Sequence, residues 1–446
     1  MAIGKEGNVK WVDGLRGIAS SLVVVKHVTI AWFPYIMWPS PGPEDLPVLL
    51  ERPYLRVFFQ GRIGVAIFSF VTGYVCCLKP IKLFHQGNHD KAFAAIAKSA
   101  IRRVPRLVLP VAIVLVLSCL ATQLGVFEVA RHSDGWGLDV TSPEYFPNWL
   151  DAFWALVCDE VRVWTFGQSM YGAELWTMMP ILKGAFWVYV YLLATAYVQQ
   201  RYRMMIALFL AMFRYCANDP FFGMQFFFGA FMADLQNPIA EGPPVVAFLA
   251  PHKSHMKWLR MFGSVAFLAL GFFIASLPDD HYDYQAWSQG LYEFLRAILP
   301  RDPDFPRFSS GLGLDLIVIG LHFSTTSRNI LSSKPFIWLG RMSFAVYLLH
   351  NQILRSVLCW MVYGFSLPEQ PTDFPGAGRL FTVLPIYWVL VYGAAWLWTT
   401  YVDAWCAKVT EKLVGKIKED DGREKSEPLL PLAAPVRANE EVPAAR

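Results

Sequence analysis

The stretch L-V-L-P-V-A-I-V-L-V-L-S-C-L-A-T-Q-L-G-V, residues 107–126, decides the class of fold. It contains no charged side chain, and a bilayer core roughly 30 Å thick requires about 20 predominantly apolar residues when it is crossed by a helix. Working outward from this stretch, we find nine further apolar runs, and none shows the alternating pattern of a membrane β-barrel. We therefore predict an all-α, polytopic transmembrane helical bundle with about ten spans. The ten runs lie near 15–35, 63–79, 107–126, 181–199, 204–217, 221–236, 261–277, 311–324, 342–363 and 380–403.

The composition agrees with an integral membrane protein. The 446 residues are 55% apolar and 17% charged, whereas an ordinary soluble protein has about 45–50% and about 25%. The net charge of +4 is far too small for a surface that follows nucleic-acid phosphates, so a nucleic-acid partner is excluded. The seven scattered cysteines indicate neither a disulfide framework nor a C-x-x-C metal site.

Basic and acidic loops alternate along the chain. Lys and Arg mark cytoplasmic loops, so the alternation predicts that both termini are cytoplasmic. The first apolar run lacks a small-residue cleavage pattern and predicts a resident span and no signal peptide. We predict a membrane-embedded domain over 1–410 and a disordered cytoplasmic tail over 411–446, whose charged and Pro-rich composition cannot bury a core. The organelle is left open between the endomembranes and the plasma membrane.

Segments 91–103 and 150–165 are predicted to be amphipathic helices at the membrane interface. The long stretch 127–180 is rich in Trp, Pro and Asp, which suits a lid or the wall of a vestibule.

The first apolar run contains ionisable groups, which are costly inside a membrane and usually mark a cavity. Arg16 and His27 are eleven residues apart, so a helix places them on nearly the same face with a rise of roughly 16 Å. Imidazole takes up and returns protons near neutral pH, so His27 is a candidate general base. The structural alternatives are that Arg16 extends to the headgroups and that His27 bonds a neighbouring helix. Lys26 points about 100° away from His27 and can pair with a carboxylate elsewhere.

A basic cluster precedes the third run. Arg103 and Arg106, together with Arg102, can clamp a phosphate from the cytoplasmic side, because residues three apart share a helical face. The alternative is that the cluster only follows the positive-inside rule.

Six blocks in order along the chain resemble those of the acyltransferase-3 family of integral membrane acyltransferases, closest to its fungal branch, over roughly residues 10–405. The first is V-D-G-L-R-G-I-A-S-S-L-V-V-V-K-H, residues 12–27, which holds the Arg and His of the family's first helix. The others are G-R-I-G-V-A-I-F-S-F-V-T-G-Y (61–74), R-R-V-P-R-L-V-L-P (102–110), L-W-T (175–177), F-F-G-A-F-M-A-D-L (227–235) and L-G-R-M-S-F-A-V-Y-L-L-H (339–350).

The resemblance implies transfer of an acyl group, commonly acetyl, from acyl-CoA as co-substrate to a hydroxyl or amine acceptor, with no bound cofactor; we predict a hydroxyl. It assigns Arg16 and His27 to the family's essential pair, and Arg103 and Arg106 to its second arginine motif. Trp176, Tyr347 and His350 fall in blocks that make them candidate substrate-binding residues. The acceptor is left open among a secondary metabolite, a sterol or terpenoid, another lipid and a sugar.

One position departs from the family pattern. The family usually has a Glu a few residues beyond L-W-T, whereas this chain has Ile181. Glu174, two residues before Trp176, can replace that acid only if the local loop is rebuilt. Loss of activity and an altered acceptor are therefore both open.

The alternative hypothesis, from another functional class, is a non-catalytic relative that acts as a membrane carrier or lipid-binding protein, since transporters also have polar groups at mid-membrane. A metal site is not predicted. The pairs His85 with His89 and His252 with His255 have helical spacing but lie in loops.

Overall fold

The computed structural model describes residues 9–236, 257–365 and 373–417, and these ranges contain helices and no β-strand. The helical class is therefore as predicted. The helices of seven residues or more are α1 (Lys10–Trp32), α2 (Arg62–His85), α3 (His89–Gln123), α4 (Trp149–Thr165), α5 (Met178–Ala194), α6 (Gln200–Cys216), α7 (Gly223–Gln236), α8 (Lys257–Ile274), α9 (Ala286–Ile298), α10 (Phe305–Phe323), α11 (Thr325–Leu331), α12 (Lys334–Ile353), α13 (Ala377–Leu397) and α14 (Asp403–Ile417).

Each of the ten predicted apolar runs overlaps one of these helices. Five helical stretches are long and apolar enough to cross a membrane: Lys10–Trp32, Arg62–His85, His89–Gln123, Ala173–Ala194 and Ala377–Lys416. A sixth would be α10 with α11, which meet at a bend of 105°. Helices α6 and α7 have 17 and 14 residues and would be only about 26 and 21 Å long. The apolar helices indicate a membrane protein, while ten spans and the sides of the termini remain predictions.

The two segments predicted to be amphipathic, 91–103 and 150–165, are both helical. The amphipathic segment 91–103 and the third apolar run belong to one helix, α3, which contains Pro105 and Pro110. The segment 150–165 coincides with α4. At the other end of the chain α14 continues to Ile417, and the rest of the predicted tail, 418–446, lies outside the described residues.

A close crossing of α1 and α12 organises the centre of the bundle. A Cβ atom added at Gly340 would lie 2.1 Å from the backbone oxygen of Asp13, and one added at Gly17 would lie 2.6 Å from the backbone nitrogen of Gly340. Only glycine permits two helix backbones to approach this closely. The crossing brings the C-terminal half of α12, which carries Tyr347 and His350, beside the half of α1 that carries His27.

Candidate active site

Two chambers lie on opposite sides of Tyr347. The arginine chamber has a volume of about 290 Å³ and is lined by Arg16, Arg103 and Arg106. The histidine chamber has a volume of about 270 Å³ and is lined by Lys26 and His27. Tyr347 belongs to the wall of both cavities. The pair Arg16 and His27, which helical spacing places on nearly the same face of α1, is thus divided between two separate cavities.

The arginine chamber has cations on an otherwise mostly apolar wall. Arg16 donates from Nη2 to the carbonyl oxygen of Gly340 at 2.7 Å and lies 3.8 Å from a carboxylate oxygen of Asp13. Arg103 donates to the hydroxyl of Thr72 at 3.3 Å. Phe68, Val71 and Leu107 are among the apolar lining residues. Guanidinium groups above an apolar wall can receive an anionic head that is attached to a less polar chain.

The structure separates the three neighbouring arginines of α3. Arg103 and Arg106 line the arginine chamber, whereas Arg102 does not. Arg102 forms an ion pair with Glu411 of α14, and Arg106 donates to the other carboxylate oxygen of the same residue at 3.3 Å. The predicted donor-binding role therefore has geometric support for Arg103 and Arg106, and Arg102 instead ties α3 to α14.

At the wall of the histidine chamber two imidazoles form a pair: His27 lines the cavity, and His350 lies buried behind it, outside the lining of both chambers. His27 Nδ1 lies 3.0 Å from His350 Nε2 and 3.0 Å from the carbonyl oxygen of Val23. His350 Nδ1 lies 3.0 Å from the carbonyl oxygen of Val346 and 2.9 Å from that of Tyr347. His350, a candidate substrate-binding residue, thus contacts His27 directly.

These contacts fix which ring nitrogens carry hydrogen. His350 Nδ1 faces two carbonyl oxygens, which only accept, so it must be the N–H of a neutral ring and His350 Nε2 must accept. His27 Nδ1 then faces two acceptors and must be the donor. Its Nε2 is left with a free lone pair, and the ring lines the histidine chamber. A neutral imidazole held in this tautomer is arranged to accept a proton from a group in that chamber.

Tyr347 lines both chambers and is held by two hydrogen bonds. Its hydroxyl donates to the carbonyl oxygen of Glu174 at 2.6 Å and accepts from the hydroxyl of Thr177, 2.8 Å away. Thr177 lines the arginine chamber, while Glu174 and Trp176 line the histidine chamber. The L-W-T block therefore runs along the wall that divides the cavities, and the end of the segment 127–180 contributes to that wall.

The replaced acid and its candidate substitute lie in different chambers. Ile181 lines the arginine chamber. The fully buried Glu174 side chain accepts from Asn351 at 2.9 Å and from Gln352 at 3.5 Å. Within the described residues no hydrogen bond joins Glu174 to either imidazole. Glu174 supplies a carboxylate beside the histidine pair without replacing the family acid in position.

Trp176 forms an aromatic wall of the histidine chamber. Its ring stacks on Phe221 with centroids 6.3 Å apart. The guanidinium of Arg307 lies 5.2 Å from the Trp176 centroid and 6.0 Å from that of Phe221. Such a wall suits a ligand with a flat or apolar body.

Comparison with known proteins identifies the family. The acyltransferase-3 model, described as an acyltransferase domain, matches residues 9–403. The chain belongs to the acyltransferase-3 family.

Three fungal relatives of this acyltransferase-3 chain carry acyltransferase names. The O-acetyltransferase PaAT-1 of Phomopsis amygdali is 28% identical over 380 residues, covering 78% of this chain and 73% of that protein. Acyltransferase R4 of a Phoma species is 24% identical, covering 90% and 95%. Acyltransferase clz18 of Cochliobolus lunatus is 24% identical, covering 78% and 82%. No solved structure matches this chain. Family and relatives together support acyl transfer as the reaction.

His85 and His89 were predicted to lie in a loop, but His85 ends α2 and His89 begins α3. His85 contacts Arg203 at 2.8 Å and lies 3.3 Å from a carboxylate oxygen of Asp234, which forms a buried ion pair with Arg203. His89 stacks on Tyr197. His252 and His255 lie outside the described residues. No group of three potential metal ligands occurs among the residues described.

Four charged residues of the histidine chamber were missed in the sequence: Arg62, Asp279, Asp304 and Arg307. Arg62 begins α2, Asp304 precedes α10, Arg307 lies in its first turn and Asp279 follows α8. They come together only through tertiary packing, so no spacing in the sequence indicates a common site. The sequence singles out Lys26 as a charge within the first apolar run, but it does not predict that Lys26 lines the same chamber as His27.

Proposed function

We propose that this acyltransferase transfers an acyl group from acyl-CoA to a hydroxyl of a small-molecule or lipid acceptor. The observation that carries the proposal is the His27–His350 pair, because it leaves His27 Nε2 unprotonated at the chamber wall. His27 is the general base and His350 is the residue that positions it.

The arginine chamber supports acyl-CoA as the donor. Arg103 and Arg106 can bind the phosphates of the nucleotide, which remain outside the apolar part of the chamber, while the less polar pantetheine arm extends along it. The thioester then reaches the wall formed by Tyr347. Rotation of that side chain joins the chambers, so the acyl group can meet an acceptor held in the histidine chamber.

The reaction proceeds by direct attack. His27 Nε2 removes the acceptor's hydroxyl proton as its oxygen attacks the thioester carbonyl. The carbon–sulfur bond then breaks, an ester forms, and the departing thiolate takes the proton from the imidazolium. The Nδ1–H bonds to His350 and Val23 stabilise the imidazolium that exists during this step.

The test uses the full chain in lipid nanodiscs with acetyl-CoA and hydroxylated compounds that represent the open acceptor classes: a terpenoid alcohol, a sterol and a sugar. We expect His27→Ala to lower thioester cleavage and acetyl transfer by about 10²–10⁴-fold, the usual contribution of a general base. His89→Ala, which replaces an imidazole outside both chambers, is the matched control. Equal cleavage by the wild type and His27→Ala would contradict the proposal.

A carrier is the second candidate, because two chambers on either side of a single closed wall also resemble an occluded transporter. In sealed proteoliposomes a carrier moves a substrate without cleaving a thioester. Flux in the absence of cleavage would favour the carrier.

A further inference from the structure

The charges around the histidine chamber nearly cancel. Arg62 forms an ion pair with Asp279 and donates to the carbonyl oxygen of Leu277 at 2.8 Å. Arg307 Nε lies 3.1 Å from a carboxylate oxygen of Asp304. The Glu174 carboxylate accepts from two side-chain amides, as described above. The two ion pairs account for four of the six charged lining residues, Glu174 is bound by neutral amides, and Lys26 remains.

Lys26 is the uncompensated cation of this chamber. No described residue forms a hydrogen bond or an ion pair with its ammonium group, including the carboxylates that the sequence left open as partners. Its electrostatic neighbours are the two guanidiniums of Arg62 and Arg307 and the single carboxylate of Asp304. An ammonium group that lines a protein cavity without a bonded partner is stabilised by an anion or a comparable acceptor, which offsets its desolvation.

The packing holds the Lys26 side chain in place. Gly61 adopts a left-handed backbone conformation with φ of +59°, and a Cβ atom there would lie 2.5 Å from Lys26 Cβ and 3.1 Å from its Cδ. The backbone of residue 61 thus lies directly against the lysine stem. A stem that is restricted on one side loses less rotational freedom when its ammonium group binds a ligand.

We propose that the acceptor is a hydroxy acid, whose carboxylate binds Lys26 while its hydroxyl faces His27. This inference rests on the proposed acyl transfer and narrows the acceptor to one chemical class. The stacked rings of Trp176 and Phe221 contact the body of the acceptor, which favours a flat or aromatic acid. The ion-paired residues of the chamber have their charges balanced, so they give a second carboxylate no free cation.

The experiment measures binding and does not require turnover. Full-length protein is placed in nanodiscs of phosphatidylcholine, which has no net charge, and equilibrium binding of radiolabelled benzoate is measured with benzamide as the neutral competitor. We expect Lys26→Met and Lys26→Gln each to weaken benzoate binding about tenfold or more, since a charge-assisted contact is lost. Benzamide should compete poorly with benzoate.

Lys183→Met is the matched control, because Lys183 is exposed on α5 and lines neither chamber. Its benzoate affinity should equal that of the wild type. The proposal is overturned if the wild type does not bind benzoate, if both Lys26 variants bind it as well as the wild type does, or if benzamide competes equally. Failure of acyl transfer itself would appear separately, in the His27→Ala comparison.

Discussion

The two chambers differ in how their charges are balanced. In the arginine chamber three guanidiniums line the wall and no carboxylate does, among the residues that the structure describes. In the histidine chamber three cations face three carboxylates. Arg62 and Arg307 are ion-paired and Glu174 is bound by amides, whereas the ammonium group of Lys26 has no bonded partner among the described residues. The first arrangement suits a strongly anionic ligand, and the second suits a ligand with a single negative charge. In the proposed reaction, the arginine chamber would therefore bind the donor and the histidine chamber the acceptor, and their charges would distinguish the two ligands.

Ile181 contributes to this contrast. The usual family acid at this position would add a carboxylate to a wall that carries Arg16 and Arg103. With isoleucine there, no carboxylate joins the described lining of this chamber, and Arg103 has no acidic partner among the described residues. The departure from the family pattern is therefore compatible with binding an anionic donor.

After His27→Ala, the largest effect is expected at His350, the residue that positions His27. We expect His350→Leu to lower the rate of acetyl transfer by about 10–100-fold, because His27 Nδ1 loses one of its two acceptors and a hydrogen bond to a charged group contributes about 1.5–3 kcal/mol. His350→Gln, whose amide oxygen can accept the same bond, should recover part of the rate. Single-turnover kinetics with acetyl-CoA measure both variants. If leucine and glutamine were equally impaired, the tautomer argument would fail.

A smaller effect is expected in the arginine chamber, where the proposed donor binds. Arg103→Ala should raise the KM for acetyl-CoA about tenfold with a smaller change in kcat, since one charge-assisted contact to the donor is lost. Arg102→Ala is its matched control, because Arg102 pairs with Glu411 and does not line the chamber. Steady-state kinetics with varied acetyl-CoA provide the measurement. A KM that rises equally in the two variants would show that the pair acts only through the general positive charge of α3.

The smallest effect concerns the wall between the chambers. Tyr347→Phe removes the hydrogen bonds to Thr177 and Glu174, so the aromatic side chain should rotate more freely. We expect the ratio of acetyl-CoA hydrolysis to acetyl transfer to rise severalfold, because water reaches the thioester more easily when the wall opens. Thr177→Val removes one of the same bonds and should change the ratio in the same direction by less. An unchanged ratio in both variants would show that these hydroxyls do not control access.

The helical class and the main residues of the site could be predicted because they lie on single helices. The apolar runs are local signals, and the eleven-residue separation of Arg16 and His27 follows from helix geometry alone. The same geometry joins Arg103 to Arg106. Spacing could not show that Arg102 turns toward α14 instead, since Glu411 lies 309 residues further along the chain.

The contacts between distant segments required the structure. His350 meets His27 across 323 residues, and nothing in either segment alone indicates the pairing. The balance of charges around Lys26 depends on residues from α2, α10 and the segment after α8. These contacts are set by how helices pack, which a single sequence does not specify.

The crossing at Gly340 has a consequence for the chemistry of a site ten residues away. The methyl group of an alanine at 340 would clash with the backbone of Asp13. Because packed helices move as rigid units, the clash would force α1 and α12 apart. This displacement would also move His350, which lies on α12. The hydrogen bond between His350 Nε2 and His27 Nδ1, now 3.0 Å long, would then lengthen and weaken. A residue with no side chain thereby sets the alignment of the proton-accepting imidazole with the imidazole that positions it, and variants made to alter the catalytic residues should keep this glycine.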